Sequence, residues 1–535
     1  MNRRTFLRGA ATGGAAVLAG LGSGCSWVGG GGVRGGFELE EMTLVELGLR
    51  IEKGELTSEG CVRAYMERIT RMDRVEGGVN SVIELNPDAL AIARALDEDR
   101  LERGVRGALH GVPVLIKDNI DTHDRMLTTA GSLALEGSVP VRDAFVVERL
   151  REAGAVILGK ANLSEWANFR GSRSISGWSG RGGQTRNPYV LDRSPSGSSS
   201  GSAAAVSANF CMVAVGTETN GSIVSPSSYC GVVGIKPTVG LVSRSGIIPI
   251  SSSQDTAGPI ARCVADAAVL LGAMVGEDSR DAATGVLRGR GQLDYTRYLD
   301  QGALEGARLG IARSHFRMNH LVDPVMDRAV GMLRGAGAEL VDPFELPSTR
   351  ELGGADYEVM LYEFKSGLNA YFAGLGADAP VRSLEQLIAF NEEHRDRELA
   401  LFGQEILIEA QAKGDLGDEA YVKAKKRCLV WRDALAKAIE DRKLDAVVAP
   451  TNGPAHVLDP LVGDRWLGSS STYAAVAGYP NITVPCGDVS GLPVSLSFFG
   501  TAWSEPKLIG IAYAFEQMSR ARRAPRFLGT LGAEL

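Results

Sequence analysis

Residues that could ligate a metal ion or bind nucleic acid are scarce in this chain. There are six histidines in 535 residues, and none of them forms an HExxH or HxH cluster. The seven cysteines are scattered without CxxC spacing, and the net charge of −7 comes with no basic block. These absences argue against a thiolate metal site, a metal-dependent hydrolase with a local signature and a nucleic-acid-binding protein. We therefore predict no metal, no cofactor and no nucleic-acid partner.

Long apolar runs are also missing, apart from one near the N-terminus. The run from Ala10 to Leu21 would span about 18 Å as a helix, too short for a hydrocarbon core of ~30 Å. It follows Arg3-Arg4-Thr5-Phe6-Leu7, and a twin arginine before such a run is typical of a twin-arginine export signal. We expect residues 1–36 to be an export signal with a glycine-rich tether, and the mature protein to be periplasmic.

Cys25 raises the question of membrane attachment. Small residues precede it and the glycine run 29–32 follows it, as in a lipid-attachment site. Leu21, however, lies four residues before the cysteine, whereas lipoprotein signals usually place a leucine three before. Two alternatives stay open: an acylated Cys25 that anchors the protein to a membrane surface, and a soluble periplasmic protein.

Residues 37–535 alternate between helical and strand patterns. Apolar residues recur at three- and four-residue spacing between Leu44 and Leu101, which predicts three amphipathic helices. Short continuous apolar segments then predict buried strands at 112–116, 155–159, 213–215, 446–449 and 482–484. Because such strands need cover on both faces, we predict one large α/β/α domain with a central mixed β-sheet. The charged region 281–441, with helical segments at 383–400 and 418–436, is expected to add a helical layer that shapes a substrate pocket.

Three segments combine candidate nucleophiles with a candidate base. Lys117 leaves an apolar strand in 111–119, where desolvation would lower its pKa and favour the neutral amine. Segment 194–202 is rich in serine and glycine and leads into an apolar helix. Segment 216–223 leaves a buried strand through a tight turn, whose N–H groups can converge as an oxyanion hole beside Ser222. Each segment alone has an ordinary alternative: a solvated lysine, a flexible linker and a surface turn.

Together, these segments resemble the amidase signature family. The family's lysine motif aligns with 111–119, its serine-glycine motif with 194–206 and its nucleophile motif with 216–238, in the family's order. The spacing between Ser198 and Ser222 is also that of the family. The resemblance covers about residues 42–519, and it is closest to exported bacterial peptide amidases, which release ammonia from C-terminal peptide amides.

The resemblance implies a role for each matching residue. Lys117 would be the base, Ser198 the bridging serine after a cis Gly197–Ser198 bond, and Ser222 the nucleophile of an acyl-enzyme mechanism. The implied oxyanion hole is the backbone of the nucleophile loop: Thr219, Asn220, Gly221 and Ser222. The implied supporting hydrogen-bond partners are Ser199, Thr217 and Asp255.

The chain departs from the family pattern at four positions. Asn220 stands where a glycine is frequent, and Val224 stands where the family has an arginine. Ser196 and Ser200 replace glycines of the serine-glycine motif. None of these changes removes a catalytic candidate, but we expect those at 220 and 224 to alter the pocket beside the nucleophile.

Two other functions compete with this assignment. Residues 197–201 fit the G-x-S-x-G pattern of a serine esterase with Ser199 as nucleophile and His456 downstream, although no buried strand precedes Gly197. The related A-type component of the tRNA-dependent amidotransferase uses glutamine in the cytoplasm, a location that the export signal argues against. For the substrate, a small-molecule or peptide amide is expected; Trp166 and Phe169 fit either a pocket wall or the core, and the sequence does not predict the oligomeric state.

Overall fold

The computed structural model describes residues 37–288, 294–376 and 379–532. The twin-arginine segment with Arg3 and Arg4, and the candidate lipid-attachment site Cys25, lie outside these residues. Across the described ranges, no helix has the length and hydropathy that a bilayer crossing requires.

A large mixed sheet is the centre of the molecule. The strands of the described residues are β1 (Val82–Leu85), β2 (Pro113–Lys117), β3 (Val156–Ala161), β4 (Trp178–Ser179), β5 (Gly183–Gln184), β6 (Val213–Glu218), β7 (Val233–Lys236), β8 (Thr256–Ala261), β9 (Arg308–Ile311), β10 (Glu339–Val341), β11 (Ala446–Pro450), β12 (Asn481–Val489) and β13 (Leu492–Phe499). Eleven of them form one sheet in the order β1-β3-β2-β6-β8-β7-β12-β13-β11-β9-β10. β2 is parallel to both β3 and β6. Parallel strands end at the same edge of a sheet, so the carboxyl ends of β2 and β6 lie together.

Helices flank the sheet. Those of the described residues are α1 (Leu44–Glu52), α2 (Ser58–Met72), α3 (Ala89–Arg103), α4 (Phe145–Glu152), α5 (Ser200–Ser207), α6 (Val224–Tyr229), α7 (Val264–Met274), α8 (Asp323–Gly335), α9 (Ala355–Ala373), α10 (Leu384–Glu393), α11 (Glu405–Gln411), α12 (Glu419–Asp441), α13 (Ser471–Ala477) and α14 (Glu505–Ser519). Helix α7 packs on α4, on α14 and on the sheet, and α8 and α14 pack on each other and on the sheet. Helices α5 and α6 also pack on each other and on the sheet. The predicted α/β architecture, with a mixed sheet covered by helices, is confirmed.

Local sequence explains where the elements begin. Thr43 and Glu46 form a reciprocal capping box at the start of α1, and the Thr57 hydroxyl accepts the Gly60 N–H at the start of α2. Such caps satisfy backbone donors that a helix terminus leaves unpaired. In β2, β6 and β11 every residue is buried, as expected of central strands covered on both faces.

The region 281–441 contributes to the sheet as well as to the helical layer. Its strands β9 and β10 form one edge of the sheet, and its later helices α9–α12 form what we call the helical cap. The two strands were not expected from the sequence because runs of four and three residues show no clear periodicity. Apolar side chains of α9, including Phe364 and Leu368, pack with Trp166 and Ile250. This packing places the cap against residues 166–169 and 248–250.

Candidate active site

Lys117 is the last residue of β2, and its amine is completely buried. Its Nζ lies 2.7 Å from Ser198 Oγ, 2.8 Å from Thr217 Oγ1 and 3.3 Å from the Thr217 carbonyl oxygen. Burial lowers the pKa of Lys117 to about 7, although the nearby carboxylates of Asp255 and Glu218 act in the opposite direction. The amine can therefore be neutral, and act as a base, close to neutral pH.

Ser198 follows a cis peptide bond from Gly197, as the family resemblance implied. A Cβ at position 197 would lie 2.2 Å from Ser164 Oγ and 2.9 Å from Asn168 Oδ1, so a side chain there would force these neighbours to move. The backbone of the next residue, Ser199, donates its N–H to the Ser222 carbonyl oxygen at 3.1 Å. This bond joins the serine-glycine segment directly to the nucleophile loop.

Ser199 and Thr217, both expected as supporting residues, contact each other twice. The Ser199 hydroxyl donates to the Thr217 carbonyl at 3.0 Å and accepts the Thr217 N–H at 3.1 Å. The Thr217 hydroxyl also accepts a hydrogen bond from Asn119 Nδ2 at 3.0 Å. These contacts join the ends of β2 and β6 to the start of α5. The Lys117 amine is therefore held between Ser198 on one side and Thr217 on the other.

The nucleophile loop follows β6, and Ser222 is 9% exposed. Gly221 has a φ of +83°, and a Cβ there would lie 2.9 Å from Ser471 Oγ. Its N–H donates to Glu218 Oε1 at 2.9 Å, so in this conformation it points to a carboxylate of the protein. For the backbone N–H groups of Thr219, Asn220 and Ser222 we find no acceptor in the described part of the chain. These three are the free donors among the four that the sequence suggested for an oxyanion hole.

Glu218 is a site residue that the sequence reasoning missed. Its buried carboxylate also accepts the N–H groups of Ile223 at 2.8 Å and of Val224 at 3.0 Å. The carboxylate thus holds both sides of Ser222 and caps the start of α6. Val224 stands at the position where the family has an arginine, and it is buried. Its contact with this carboxylate is made by its backbone N–H and not by its side chain. The available signal was an acid at the end of an apolar strand, three residues before a glycine.

Asp255, the third expected supporting residue, holds the first residue of the loop. Its Oδ1 accepts the Thr219 hydroxyl at 2.6 Å. Its Oδ2 accepts the N–H groups of Ile250 and Ser251, each at 2.8 Å. Burial raises the pKa of Asp255 to about 6, and the hydrogen bonds oppose this shift.

Asn220 anchors the middle of the loop. Its Oδ1 accepts the Ser471 hydroxyl at 2.7 Å, and its Nδ2 donates to Thr472 Oγ1 at 3.3 Å. Both partners lie in the first turn of α13. A glycine, frequent in the family at this position, could not make either contact.

Trp166 and Phe169 both belong to the buried core beneath the cap, and Trp166 also lines a cavity. Trp166 packs edge-on against Phe372 of the cap, with ring centroids 6.3 Å apart, and Phe169 packs against Phe364 at 5.0 Å. Trp166 also lines a cavity of about 10 Å³ together with Asn119, Ile248, Ile250 and Phe364, among others. The cavity therefore adjoins Asn119, whose side chain donates a hydrogen bond to the Thr217 hydroxyl. Residues 166–168 have φ values of +48°, +54° and +69°, a left-handed turn of non-glycine residues that the sequence did not suggest.

The geometry does not supply Ser199 with a histidine base. His456 Nε2 lies 3.1 Å from Asp464 Oδ1, and its Nδ1 lies 3.3 Å from the Tyr229 hydroxyl. The hydroxyl of Ser199 is paired with the backbone of Thr217, as described above, and the segment before Gly197 is not a strand. The esterase alternative therefore finds no support in these contacts.

Comparison with known proteins agrees with this fold. Residues 61–509 match the family model described as Amidase, and the chain belongs to the amidase family. The expected resemblance and the expected class, an amidohydrolase, are thus confirmed.

Individual relatives cover nearly the whole chain. A crystal structure of a peptide amidase from Stenotrophomonas maltophilia is 53% identical, with a TM-score of 0.88, over 92% of this chain and 100% of that one. A probable amidase of Arabidopsis thaliana is 44% identical over 502 residues, 92% of this chain and 93% of the relative. A glutamyl-tRNA(Gln) amidotransferase component from Thermoanaerobacter pseudethanolicus is 35% identical over 509 residues, 92% of this chain and 99% of the relative.

Proposed function

We propose that this amidase cleaves carboxamides with Ser222 as nucleophile, Ser198 as bridging serine and neutral Lys117 as base. The observation that carries the proposal is the contact of 2.7 Å between Lys117 Nζ and Ser198 Oγ. It lies in a buried environment that lowers the pKa of the amine to about 7. A neutral amine that faces a serine hydroxyl is the arrangement that a serine–lysine variant of the catalytic triad requires.

The reaction follows from these roles. Lys117 takes a proton from Ser198 as Ser198 takes one from Ser222, and Ser222 Oγ attacks the amide carbonyl carbon. The oxyanion is stabilised by N–H groups of the nucleophile loop, with Thr219, Asn220 and Ser222 as donors. The relay then returns the proton to the departing nitrogen, and the C–N bond breaks to give ammonia and an acyl-enzyme. Water, deprotonated by the same relay, hydrolyses the ester and releases the carboxylic acid.

For the substrate, we propose C-terminal amides of peptides. Support comes from the 53% identity to a peptide amidase over nearly the whole chain. Trp166, Ile250 and Phe364, which line the small cavity beside Asn119, would also offer a contact surface to an apolar residue on the acyl side of the scissile bond. An alternative is glutamine, supported by the 35% identity to a component of glutamyl-tRNA(Gln) amidotransferase.

We further propose that the protein works outside the cytoplasm. The support is the sequence Arg3-Arg4-Thr5-Phe6-Leu7 before an apolar run, which is typical of twin-arginine export. Acylation of Cys25 would tether it to a membrane. Fractionation of cells that express wild-type and Arg3→Lys/Arg4→Lys chains tests the location: export of the doubly substituted chain at the wild-type level would contradict it.

The substrate proposal is tested by measuring ammonia release from four matched substrates: a dipeptide amide, an aliphatic amide, an aryl amide and free glutamine. We expect the highest kcat/KM for the peptide amide, and we expect Ser222→Ala to provide the blank for each substrate. A preference for glutamine over the peptide amide would favour the amidotransferase-like alternative.

A further inference from the structure

The helical cap contacts the segment that holds the nucleophile loop. Glu363, on α9, is 3% exposed, and its carboxylate binds residues 251–253. Its Oε2 accepts the Ser251 hydroxyl at 2.6 Å and the Ser253 N–H at 2.9 Å. The Ser253 hydroxyl donates to Oε1 of the same carboxylate. One side chain of the cap thus binds the segment through three hydrogen bonds.

A second cap helix completes this cluster. Tyr421 and Lys425 lie one turn apart on α12, so they face the same side of the helix. The Tyr421 hydroxyl donates to Glu363 Oε1 at 2.8 Å, and Lys425 Nζ lies 3.3 Å from the same oxygen and contacts the Ser253 hydroxyl. The ammonium and the hydrogen bonds hold the pKa of Glu363 below its usual range against the effect of burial. The carboxylate is therefore ionised and fully engaged at neutral pH.

Ser251 connects this cluster to the reaction centre. Its hydroxyl donates to Glu363, while its own N–H donates to Asp255 Oδ2 at 2.8 Å. The other oxygen of Asp255 holds the Thr219 hydroxyl at 2.6 Å. Ser251 and Asp255 thus lie between Glu363 of the cap and Thr219, the first residue of the nucleophile loop. A shift of residues 251–253 would displace Asp255, and with it Thr219.

We propose that Glu363 is a positioning residue for catalysis: it couples the helical cap to the nucleophile loop through Ser251 and Asp255. The next residue on α9, Phe364, lines the cavity beside Trp166. The same turn of helix therefore carries a lining residue of this small cavity and the carboxylate that binds residues 251–253.

The test is Glu363→Gln, compared with Glu358→Gln on the same helix. Glu358 pairs with Lys413 at 2.7 Å inside the cap and does not contact residues 251–253. Because misplacement of reacting groups by a fraction of an ångström is costly, we expect Glu363→Gln to lower kcat by about 10-fold or more. KM should change by less than about 2-fold, since the pocket wall is intact. Glu358→Gln should keep the wild-type kcat.

Two results would overturn the coupling: an unchanged kcat in Glu363→Gln, whether or not KM changes, or an equal loss of kcat in Glu358→Gln. If thermal unfolding shows that Glu363→Gln does not fold, Tyr421→Phe is used instead, because it removes only one hydrogen bond from the same carboxylate. We expect about a 3-fold lower kcat for that variant, and an unchanged kcat would overturn the coupling equally. The inference rests on the proposed function, so Ser222→Ala is assayed beside these variants. Turnover in Ser222→Ala contradicts the catalytic triad, whereas wild-type turnover in Glu363→Gln contradicts only the coupling.

Discussion

The Thr217 residue presents two acceptors to the Lys117 amine, its hydroxyl oxygen at 2.8 Å and its carbonyl oxygen at 3.3 Å. A neutral amine has two N–H groups and one lone pair. If both N–H groups are donated to Thr217, the lone pair is left for Ser198, whose Oγ lies 2.7 Å away. Thr217 therefore orients the base as well as supporting it.

This orientation predicts different outcomes for two substitutions of Thr217. Thr217→Val removes the hydroxyl acceptor at nearly constant volume, so the amine loses its alignment and kcat should fall by about 10-fold or more. Thr217→Ser keeps the hydroxyl and should retain most of the activity. Steady-state ammonia release from a peptide amide measures both, and a Thr217→Val variant as active as Thr217→Ser would contradict the role.

The pH dependence of kcat/KM reports the protonation of Lys117. Only the neutral amine can accept a proton, and burial lowers its pKa to about 7. Activity should therefore be half-maximal at about pH 7, approach its plateau about one pH unit higher and fall by about 10-fold per pH unit below about pH 6. A rate that stays constant down to pH 5 would exclude Lys117 as the base.

Removal of the charge on Asp255 should change the pH at which activity is lost, which we call the acidic limb of the pH profile. The Asp255 carboxylate acts to raise the pKa of Lys117, so Asp255→Asn should lower that pKa and shift the limb to lower pH. The plateau should fall as well, because Asp255 also holds Thr219. The pH profile of the variant separates the two effects, and a limb shifted to higher pH would contradict the electrostatic argument.

Glu218 should be essential although it does not take part in proton transfer. Its carboxylate accepts three backbone N–H groups around Ser222, and Glu218→Gln replaces one acceptor oxygen by an NH2 group that faces donors. We expect kcat to fall by about 100-fold, a loss typical of a displaced oxyanion donor. Comparison of kcat and KM with the wild type checks this expectation, and a loss confined to KM would contradict it.

A buried ion-pair cluster near the pocket should matter for stability. Arg170 Nη1 lies 2.5 Å from Glu165 Oε1 and 3.5 Å from Glu398 Oε2, and all three side chains are buried. Burial, and the like charge of Glu398, raise the pKa of Glu165 well above its usual range, although Arg170 opposes the shift. Arg170→Leu leaves two buried carboxyl groups without their cation and should lower the free energy of unfolding by about 3 kcal/mol.

The control for this variant is an exposed ion pair. Arg63 pairs with Glu59 at 2.8 Å, and its side chain is 54% exposed, so Arg63→Leu should change the free energy of unfolding by less than about 1 kcal/mol. Denaturant unfolding compares the two variants. Equal losses in the free energy of unfolding would show that the buried ion pairs of Arg170 stabilise the protein no more than the exposed pair of Arg63.

The sequence predicted those parts of the molecule that local patterns determine. Continuous apolar runs located β2, β3 and β6, because a central strand is apolar on both faces. The short motifs selected Lys117, Ser198 and Ser222 as candidates, and the structure places Lys117 Nζ 2.7 Å from Ser198 Oγ. By contrast, the Glu363–Ser253 contact joins residues 110 positions apart, and no local pattern reveals such a pair. Glu218 was missed for another reason: an acid that binds backbone N–H groups looks like any polar residue at a strand end.

The most direct test of the proposed mechanism is the activity of Ser222→Ala, with Ser228→Ala as its control. Ser228 is a buried serine on α6, and its hydroxyl has no hydrogen-bond partner among the described residues, so its removal should leave turnover at the wild-type level. Thermal unfolding is first compared with that of the wild type to show that both variants are folded. Ammonia release from a peptide amide is then measured for each. We predict background ammonia release by folded Ser222→Ala and wild-type release by Ser228→Ala. Wild-type release by folded Ser222→Ala would contradict the assignment of the nucleophile.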